Sequence, residues 1–393
     1  MSGSFPIGKA FGISLRLHWS WFIIFILITF ALTAGYFPQA YPAWTLLTRI
    51  IAGILTSLLF FGSVMVHELA HSIVAIREGV HIEGITLFIL GGVSQMTEEP
   101  KTAKGEFKIA IAGPGTSLII GAILILIFLW LGGKLSWTTF IGVNATIPDT
   151  NSFTAQFFGA IALWLGYINL ALGIFNLIPG YPLDGGRVLR SIMWFSTGKV
   201  QRATRIASTI GRVIGYLFIL GGIFLIFTGL WFNGIWLALI GWFLESSASG
   251  SYRQIIIQDM LKGHSARDIM TRECNPVPAG LSVDKLVNEY VMVSGNRCFI
   301  VMADDKIEGM ITLRDIQKVP REEWQFIPVR QVMTTLGKLK SIKPDEDLNT
   351  VMNILSQNNV NQIPVIENDI VIGMVTRENI INFLNIRAQL NKR

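Results

Sequence analysis

The first 250 residues are dominated by long apolar stretches without charged side chains. No Asp, Glu, Lys or Arg occurs at 17–48, 50–66, 109–133, 150–183 or 213–244. A transmembrane helix needs about 20 consecutive apolar residues. The pattern predicts six such helices, at about 17–37, 50–76, 108–131, 155–180, 207–228 and 231–247, the last two sharing a stretch that is interrupted at Asn233-Gly234. The first stretch is too long for a signal peptide and has no clear cleavage site, so we expect it to be retained.

Beyond about Tyr252 the pattern becomes that of a soluble α+β domain. Charged residues are frequent there, and the apolar runs shrink to the length of a strand. The sequence therefore predicts a membrane domain, a linker and two C-terminal repeats, at 1–250, 251–262, 263–322 and 323–393.

The two repeats are visible as recurring short segments. Gly309-Met310-Ile311-Thr312 recurs 64 residues later as Gly373-Met374-Val375-Thr376, and 267–271 recurs 63 residues later as 330–334. Each copy predicts a unit of short strand, turn, helix, two strands and helix. Buried strands are predicted at matching places in the two copies, 298–301 and 363–366.

The composition agrees with a membrane protein. Apolar residues make up 51% of the chain and charged residues 15%, and the mean hydropathy is +0.52. A soluble domain has about 25% charged residues. Because the chain has only two cysteines, Cys274 and Cys298, a disulfide scaffold is excluded. The composition is also too apolar for a disordered chain.

The basic residues indicate how the chain is oriented. The net charge is +6, but we expect no nucleic-acid partner because Lys and Arg accumulate in cytoplasmic loops of membrane proteins. The segment 187–212, after the fourth predicted helix, holds six basic residues, whereas 38–49 and 132–154 hold one each. The basic side is predicted to be cytoplasmic, so that both termini and the C-terminal repeats lie in the cytoplasm.

The second apolar stretch contains the motif His67-Glu68-Leu69-Ala70-His71. Histidines four residues apart lie on one helix face, where both imidazoles can bind one metal ion. Imidazole suits zinc, which at catalytic sites takes three protein ligands and one water. Glu68 can accept a proton from that water as a general base. Alternatively, the two histidines lie at the cytoplasmic end of the helix, although Arg77 marks that end better.

Asp184 is the predicted third ligand. It follows the long uncharged fourth stretch, in a segment (176–187) whose two prolines and three glycines interrupt the helix. Irregular backbone at membrane depth is tolerated only where it lines a cavity or is covered by protein. The second and fourth predicted helices run in the same direction, which puts both motifs at similar depth. The alternative is an Asp in a cytoplasmic loop or helix cap.

The motif HELAH in an apolar helix, followed by a distal N-x-x-P-x-x-P-L-D-G-G, resembles the site-2 protease family of intramembrane zinc metalloproteases. The resemblance covers the membrane half and includes Gly91-Gly92 and Ala112-Gly113-Pro114-Gly115. It implies that one zinc ion per chain is bound by His67, His71 and Asp184, with Glu68 as the general base.

Asn176 matches the family asparagine that orients the substrate or stabilises the oxyanion. Its amide is costly inside a membrane helix unless it is used. The alternative for Asn176 is a hydrogen bond between helices. Asn169, His18, His81 and His264 receive no role.

The resemblance implies that the enzyme hydrolyses peptide bonds of single-span membrane proteins near the cytoplasmic side of the lipid bilayer. Such a substrate helix must unwind before attack, because its own hydrogen bonds cover the scissile bond. The β-prone segment 84–90 is too short to span. It predicts a membrane-embedded strand whose edge pairs with the unwound substrate. An ordinary interfacial loop is the alternative.

The C-terminal repeats resemble a tandem pair of CBS domains. Gly309-x-Ile311-Thr312-x-x-Asp315 resembles the turn that contacts adenosine, which implies that Thr312 contacts phosphate and Asp315 contacts ribose. The second copy keeps Thr376 but has Asn379 in place of the Asp, which argues against ribose binding there. The expected regulatory ligand is ATP or AMP, which would gate substrate entry. A pair that acts only in dimerisation, giving a homodimer, is the alternative.

The sequence thus predicts a polytopic α-helical membrane protein of about six transmembrane helices, followed by a cytoplasmic α+β tandem CBS domain. Its predicted function is that of a zinc endopeptidase regulated by adenine nucleotide. The rival is a transporter or channel gated by the CBS pair, for which HExxH and a distal Leu-Asp-Gly are not required. A catalytically inactive relative would lack a ligand or the base, whereas all four predicted residues are present.

Overall fold

A computed structural model describes most of the chain: residues 3–89, 91–96, 99–135, 152–271, 276–296, 298–304, 306–335, 337, 340–358, 360–368 and 370–390. Leu90, the end of the predicted membrane strand, and Cys274 lie outside these residues. The chain divides into two compact units, Met1–Ile255 and Ile256–Arg393. The predicted linker is helical as far as Leu261, and the finer domain boundaries stay predictions.

Within its described residues, the N-terminal unit contains five helices that are long and apolar enough to cross a membrane. They are α1 (Ser20–Ala40), α2 (Leu46–Arg77), α3 (Ala103–Trp130), α4 (Phe153–Asn176) and α6 (Val200–Phe227). Helix α1 includes a π-helical stretch at Ala31–Tyr36. The shorter α5 (Asp184–Thr197) lies between α4 and α6 in sequence, and α7 (Trp231–Leu261) continues past the end of this unit at Ile255. Five of the predicted transmembrane helices correspond to these five, and the chain is a multi-pass membrane protein.

The sixth predicted span, 231–247, forms the first half of α7. Helix α7 is not among the five span candidates found in the described part of the chain. It continues past Glu245 into polar residues, and Asn233 further lowers the mean hydropathy of its apolar half. A total of six spans therefore stays a prediction.

A four-stranded sheet accompanies the helices, in the order β1-β2-β3-β4. Its strands are β1 (Ser4–Ala10), β2 (Ile13–His18), β3 (Ile82–Phe88) and β4 (Gly91–Met96). Strand β2 pairs antiparallel with β1 and parallel with β3, and β4 pairs antiparallel with β3. The sheet packs on α2 and α3 through a buried cluster that includes Ile13, Ile85 and Ile109.

Two expectations about this sheet need correction. The first helix begins at Ser20 and not at 17, because Ile13–His18 alternates apolar and polar residues and forms β2. The segment 84–90 does contribute a strand, but β3 is paired on both sides. Because an incoming chain needs unpaired backbone groups, β3 offers no edge to a substrate. Within the described residues, β4 pairs on one side only.

The C-terminal unit contains the two predicted repeats. Strands β6 (Cys298–Ala303) and β7 (Lys306–Thr312) form one antiparallel pair, and β9 (Gln362–Glu367) and β10 (Ile370–Thr376) form the other. The matching strands predicted at 298–301 and 363–366 are confirmed. The strands β5 (Pro276–Pro278) and β8 (Thr334–Thr335) flank the first pair. The helical segments are α8 (Ala266–Ile269), α9 (283–294), α10 (Leu313–Ile316), α11 (Val329–Val332), α12 (Leu348–Gln357) and α13 (Arg377–Leu390).

The leading segments of the two repeats are exchanged. Thr271, near the start of the first repeat in sequence, bridges to Met374 in β10 of the second. Conversely, β8 pairs with β7 of the first repeat, and Val329 belongs to the core of that repeat. The repeats are therefore interlocked rather than folded as two separate lobes.

Candidate metal centre

Helix α2 carries the predicted histidine pair. His67 and His71 are both buried, at 4% exposure each, and their Nε2 atoms are 3.2 Å apart. One helical turn separates them, so the two imidazoles face the same side of α2. Glu68 is half-buried beside them.

Asp184 is the first residue of α5 and is held by tight packing of the preceding loop. A side chain at Gly185 would collide with the carbonyls of Leu177 and Ile178, and one at Gly186 with the backbone of Gly180 and Tyr181. The glycines of the Leu-Asp-Gly-Gly motif therefore let the first turn of α5 lie directly on this loop. This packing helps to fix the position of Asp184.

The three predicted ligands converge although 113 residues separate Asp184 from His71 in the sequence. Asp184 Oδ2 lies 3.3 Å from His67 Nε2 and 3.1 Å from His71 Nε2. Zinc–ligand bonds of about 2.0–2.1 Å at tetrahedral angles place ligand atoms roughly 3.3 Å apart.

Helix α3 orients both imidazoles through their other ring nitrogens. His71 Nδ1 donates to the carbonyl oxygen of Ile109 at 2.6 Å, and His67 Nδ1 lies 2.9 Å from Ser117 Oγ. With Nδ1 of His71 as the donor, its Nε2 carries the lone pair that binds a metal. Such outer partners fix the ring orientation at metal sites.

Helix α3 also leaves the space that an ion needs. A Cβ atom at Gly113 would collide with the Nε2 atoms of both His67 and His71. The donor set, the spacing of the donor atoms and this glycine-lined space all fit a zinc ion. His67, His71 and Asp184 are the one group of potential metal ligands found in the described part of the chain.

The edge strand β4 lies against the predicted base. A Cβ at Gly92 would collide with the side chain of Glu68. A second link joins α2 to β4, because the hydroxyls of Ser72 and Ser94 are 2.9 Å apart. The Gly91-Gly92 motif thus allows the strand backbone to approach the base closely.

Asn176 is the last residue of α4 and is half-buried. Its side chain makes no hydrogen bond to any described residue, so the interhelical bond considered as its alternative is not formed there. Asn169 is fully buried and donates to the carbonyl of Leu165 at 2.8 Å, which agrees with giving it no role. His18 contacts Ser20, and neither His18 nor His264 belongs to the metal-ligand group.

Sequence reasoning missed the partners that hold the site. Ser117 carries no motif that would single it out, and the Ile109 acceptor is a backbone atom. An ion pair between Glu106 and Arg190, buried where α3 meets α5, was missed as well. The two residues are 84 positions apart, so no local spacing could have found them.

The residues that are predicted to contact a nucleotide form hydrogen bonds within their own turns. The Thr312 hydroxyl donates to Asp315 Oδ2 at 2.7 Å, and Lys318 donates to Oδ1 at 2.8 Å. Burial alone would raise the pKa of Asp315, but the hydrogen bonds from Lys318 and Thr312 outweigh it and hold that pKa below its usual range. In the second repeat, Thr376 donates to Asn379 Oδ1 at 2.7 Å. Both turns are therefore helix caps in the structure.

Known families and relatives match both halves of the chain. The profile of peptidase family M50 matches residues 55–219, and that of the CBS domain matches 266–322 and 329–386. The Synechocystis sp. protein sll0528, which is named as a zinc metalloprotease, is 34% identical over 99% of this chain and 97% of its own length. Zinc metalloprotease MJ0392 from Methanocaldococcus jannaschii is 28% identical over 90% of this chain and 98% of its own.

Among solved structures, the site-2 protease from Methanocaldococcus jannaschii is 31% identical. The match covers 64% of this chain and 95% of that chain, with a TM-score of 0.41. The family assignment rests on the nearly full-length relationship to sll0528 together with the two family profiles. The chain belongs to peptidase family M50, the site-2 protease family of zinc metalloproteases, and carries a C-terminal pair of CBS domains.

Proposed function

We propose that the protein is an intramembrane endopeptidase that hydrolyses membrane-spanning, single-span protein substrates near the cytoplasmic side. One observation carries the proposal: His67, His71 and Asp184 offer three ligand atoms within 4.8 Å of one another. The histidines belong to a helix long and apolar enough to span a membrane. A buried cluster of this kind would be costly in lipid without a bound cation.

His67, His71 and Asp184 would hold the zinc ion. Zinc bound there supplies Lewis acidity, which polarises a peptide carbonyl and brings the pKa of water near 7. Glu68 is the general base in this proposal: its carboxylate takes the proton of the attacking water and returns it to the leaving amine. Ser117 and the Ile109 carbonyl keep both imidazoles turned towards the shared site.

Strand β4 is the proposed docking edge for the unwound substrate. It is an outer strand of the sheet, and its Gly92 lies against Glu68. A substrate paired with β4 would therefore run beside the base. The amide of Asn176, which makes no hydrogen bond to any described residue, supports its proposed role in orienting the substrate or stabilising the oxyanion.

Two neighbouring proline substitutions test the docking edge. Successive residues of a strand point their N–H groups to opposite sides. Of the two variants Val93→Pro and Ser94→Pro, one therefore loses a hydrogen bond to β3 and the other loses an N–H group that points away from the sheet. We expect the variant that loses the outward N–H to cut substrate more slowly at unchanged zinc content. If both variants cleave like the parent protein, strand addition at β4 is wrong.

The proposed activity is tested with purified protein in lipid vesicles. A single-span substrate should be cleaved at one position in the cytoplasmic half of its span, as located by mass spectrometry of the products. A chelator should stop the cleavage, and added zinc should restore it. Cleavage confined to water-soluble loops of the substrate would contradict the intramembrane assignment.

We also propose that ATP or AMP binds the CBS pair and regulates proteolysis. The support is the CBS profile and the Thr312–Asp315 turn at the end of β7. Calorimetric titration with ATP and AMP, with GTP as the comparison, measures binding. Equal proteolysis with and without a bound nucleotide would remove the regulatory proposal.

The remaining proposals concern placement and assembly. The basic segment 187–212 supports a cytoplasmic location of both termini and of the CBS pair. Reporter fusions to the C-terminus, read for cytoplasmic or external activity, test this orientation. A homodimer formed through the CBS pair is tested by light scattering of the detergent-solubilised protein, which gives the protein mass once the mass of the bound detergent is subtracted.

A further inference from the structure

A buried ion pair joins the helix that orients the histidines to the helix that carries the aspartate. Glu106 on α3 is fully buried, and Arg190 on α5 is 6% exposed. Arg190 Nε donates to Glu106 Oε1 at 2.5 Å, and its Nη2 contacts the same oxygen. The Arg190 guanidinium also lies 5.5 Å from the ring centroid of Tyr181, in the loop before α5.

Both ends of this pair lie close in sequence to groups of the metal site. On α3, Glu106 is one turn before Ile109, whose carbonyl accepts the hydrogen bond of His71. On α5, Arg190 is less than two turns after Asp184. Because a helix is stiff over such distances, fixing Glu106 to Arg190 fixes the distance from Asp184 to the imidazoles.

The packing explains why such a link is needed. The histidines are held by α3 through hydrogen bonds with the Ser117 hydroxyl and the Ile109 carbonyl. Among the described residues, the Asp184 carboxylate contacts only Nε2 of the two histidines, and Asp184 begins a short helix whose first turn lies on the preceding loop. Its position therefore depends on that loop and on how α5 is fastened to α3.

We propose that Glu106 and Arg190 are positioning residues, which hold the third zinc ligand in register with the histidine pair. This inference rests on the proposed ligand set. Removing the pair should lower zinc affinity by about 10-fold, the lower end of the range observed when direct partners of metal ligands are removed. It should lower kcat and leave KM unchanged, because the substrate does not contact either residue in this proposal.

The first test measures metal binding directly. Glu106→Gln keeps the shape of the side chain and removes its charge. We expect weaker zinc binding in chelator competition and an altered visible absorption spectrum of the cobalt-substituted protein, which reports ligand geometry. Arg190→Lys keeps the positive charge but replaces the forked guanidinium by a single ammonium group. It should therefore lose less zinc affinity than Glu106→Gln.

An exposed ion pair on the same helix provides the control. Lys108 on α3 binds Glu78 at 2.8 Å, and its side chain is 61% exposed. This pair does not involve α5, so Lys108→Met should leave the zinc affinity and the cobalt spectrum unchanged.

A double variant separates positioning from folding. Replacing a buried ion pair by apolar side chains of similar volume is often tolerated. The Glu106→Leu/Arg190→Met protein should accumulate in the membrane and still bind zinc more weakly than the parent. Parental zinc affinity and an unchanged cobalt spectrum in this double variant would overturn the inference.

Asp184→Asn distinguishes failure of this inference from failure of the ligand set. If the ligand set is right and the pair has no positioning role, Asp184→Asn loses zinc affinity while the double variant keeps it. If Asp184 is not a ligand, Asp184→Asn keeps zinc as well, and both proposals fall together.

Discussion

The metal cluster of the membrane unit and the Thr312–Asp315 turn of the C-terminal unit differ in what holds their polar side chains. In the membrane unit, His67, His71 and Asp184 come from two distant helices, and a third helix fixes the imidazoles. In the C-terminal unit, Thr312 and Asp315 are three residues apart and bond each other. The three side chains of the metal cluster point to a shared position, whereas Thr312 and Asp315 bond to each other.

This difference separates two kinds of motif. Side chains that cap their own turn need no ligand to be satisfied, because the helix N-terminus supplies the donors. Buried donors and acceptors that meet from remote segments carry a cost unless something binds them. The convergent set is therefore the stronger indication of a bound group, and the predictions below test the two sites against each other.

The largest effect is expected from His71→Ala. The substitution removes one of two imidazole ligands, so the protein should lose both its zinc and all measurable proteolysis. Metal analysis of the purified variant, together with cleavage of a co-expressed single-span substrate, checks this. Zinc bound at the parental stoichiometry would contradict the assignment of His71.

Glu68→Gln should separate chemistry from metal binding. All three ligands remain, so zinc is retained, but the general base is gone and the cleavage rate should fall by about 10²- to 10⁴-fold. The comparison of interest is with His71→Ala, which loses both properties. Proteolysis at the parental rate would refute the role of Glu68.

Gly113→Ala tests the space reserved for the ion. The added methyl group would collide with Nε2 of both histidines, so we expect zinc content to fall. Gly115→Ala is the matched control, since an added Cβ there meets nothing within 4 Å on the same helix. Equal zinc contents in the two variants would mean that the helices move apart to accept the methyl group.

Asp315→Ala should have a smaller effect, and one confined to the C-terminal unit. Loss of a helix cap costs about 1 kcal/mol, so the unit should unfold at lower denaturant concentration. Zinc content should stay unchanged, because the ligands are in the other unit. A loss of zinc in this variant would show that the two sites depend on each other.

The smallest expected effect is a local dependence on pH. The folded-state pKa of Asp315 is lowered, so its ionised form stabilises the turn above about pH 4, its unfolded value. That contribution is lost as the pH falls through the folded pKa. The protection of the amides at 312–316 against hydrogen exchange, taken relative to the intrinsic exchange rate at each pH, should fall there. The Thr376–Asn379 turn is the internal control and should respond less, because its capping side chain is the amide of Asn379, which does not titrate.

Local spacing of residues was enough to predict several parts of the fold. The uncharged stretches specified five membrane helices, the HELAH spacing put both histidines on one face of α2, and the 64-residue offset matched the strand pairs of the two repeats. Each of these follows from helix or strand periodicity within a few residues.

Tertiary structure decided which atoms meet. The imidazoles bond to Ile109 and Ser117, and Glu106 pairs with Arg190, because tertiary packing brings these residues together. The order of the strands places β4, and not β3, at an edge of the sheet. A backbone carbonyl has no identity in a sequence, and the pairing order of strands depends on which neighbours pack beside them. Such contacts join segments that are tens of residues apart, and only the packing of α3 against α2 and α5 brings them within bonding distance.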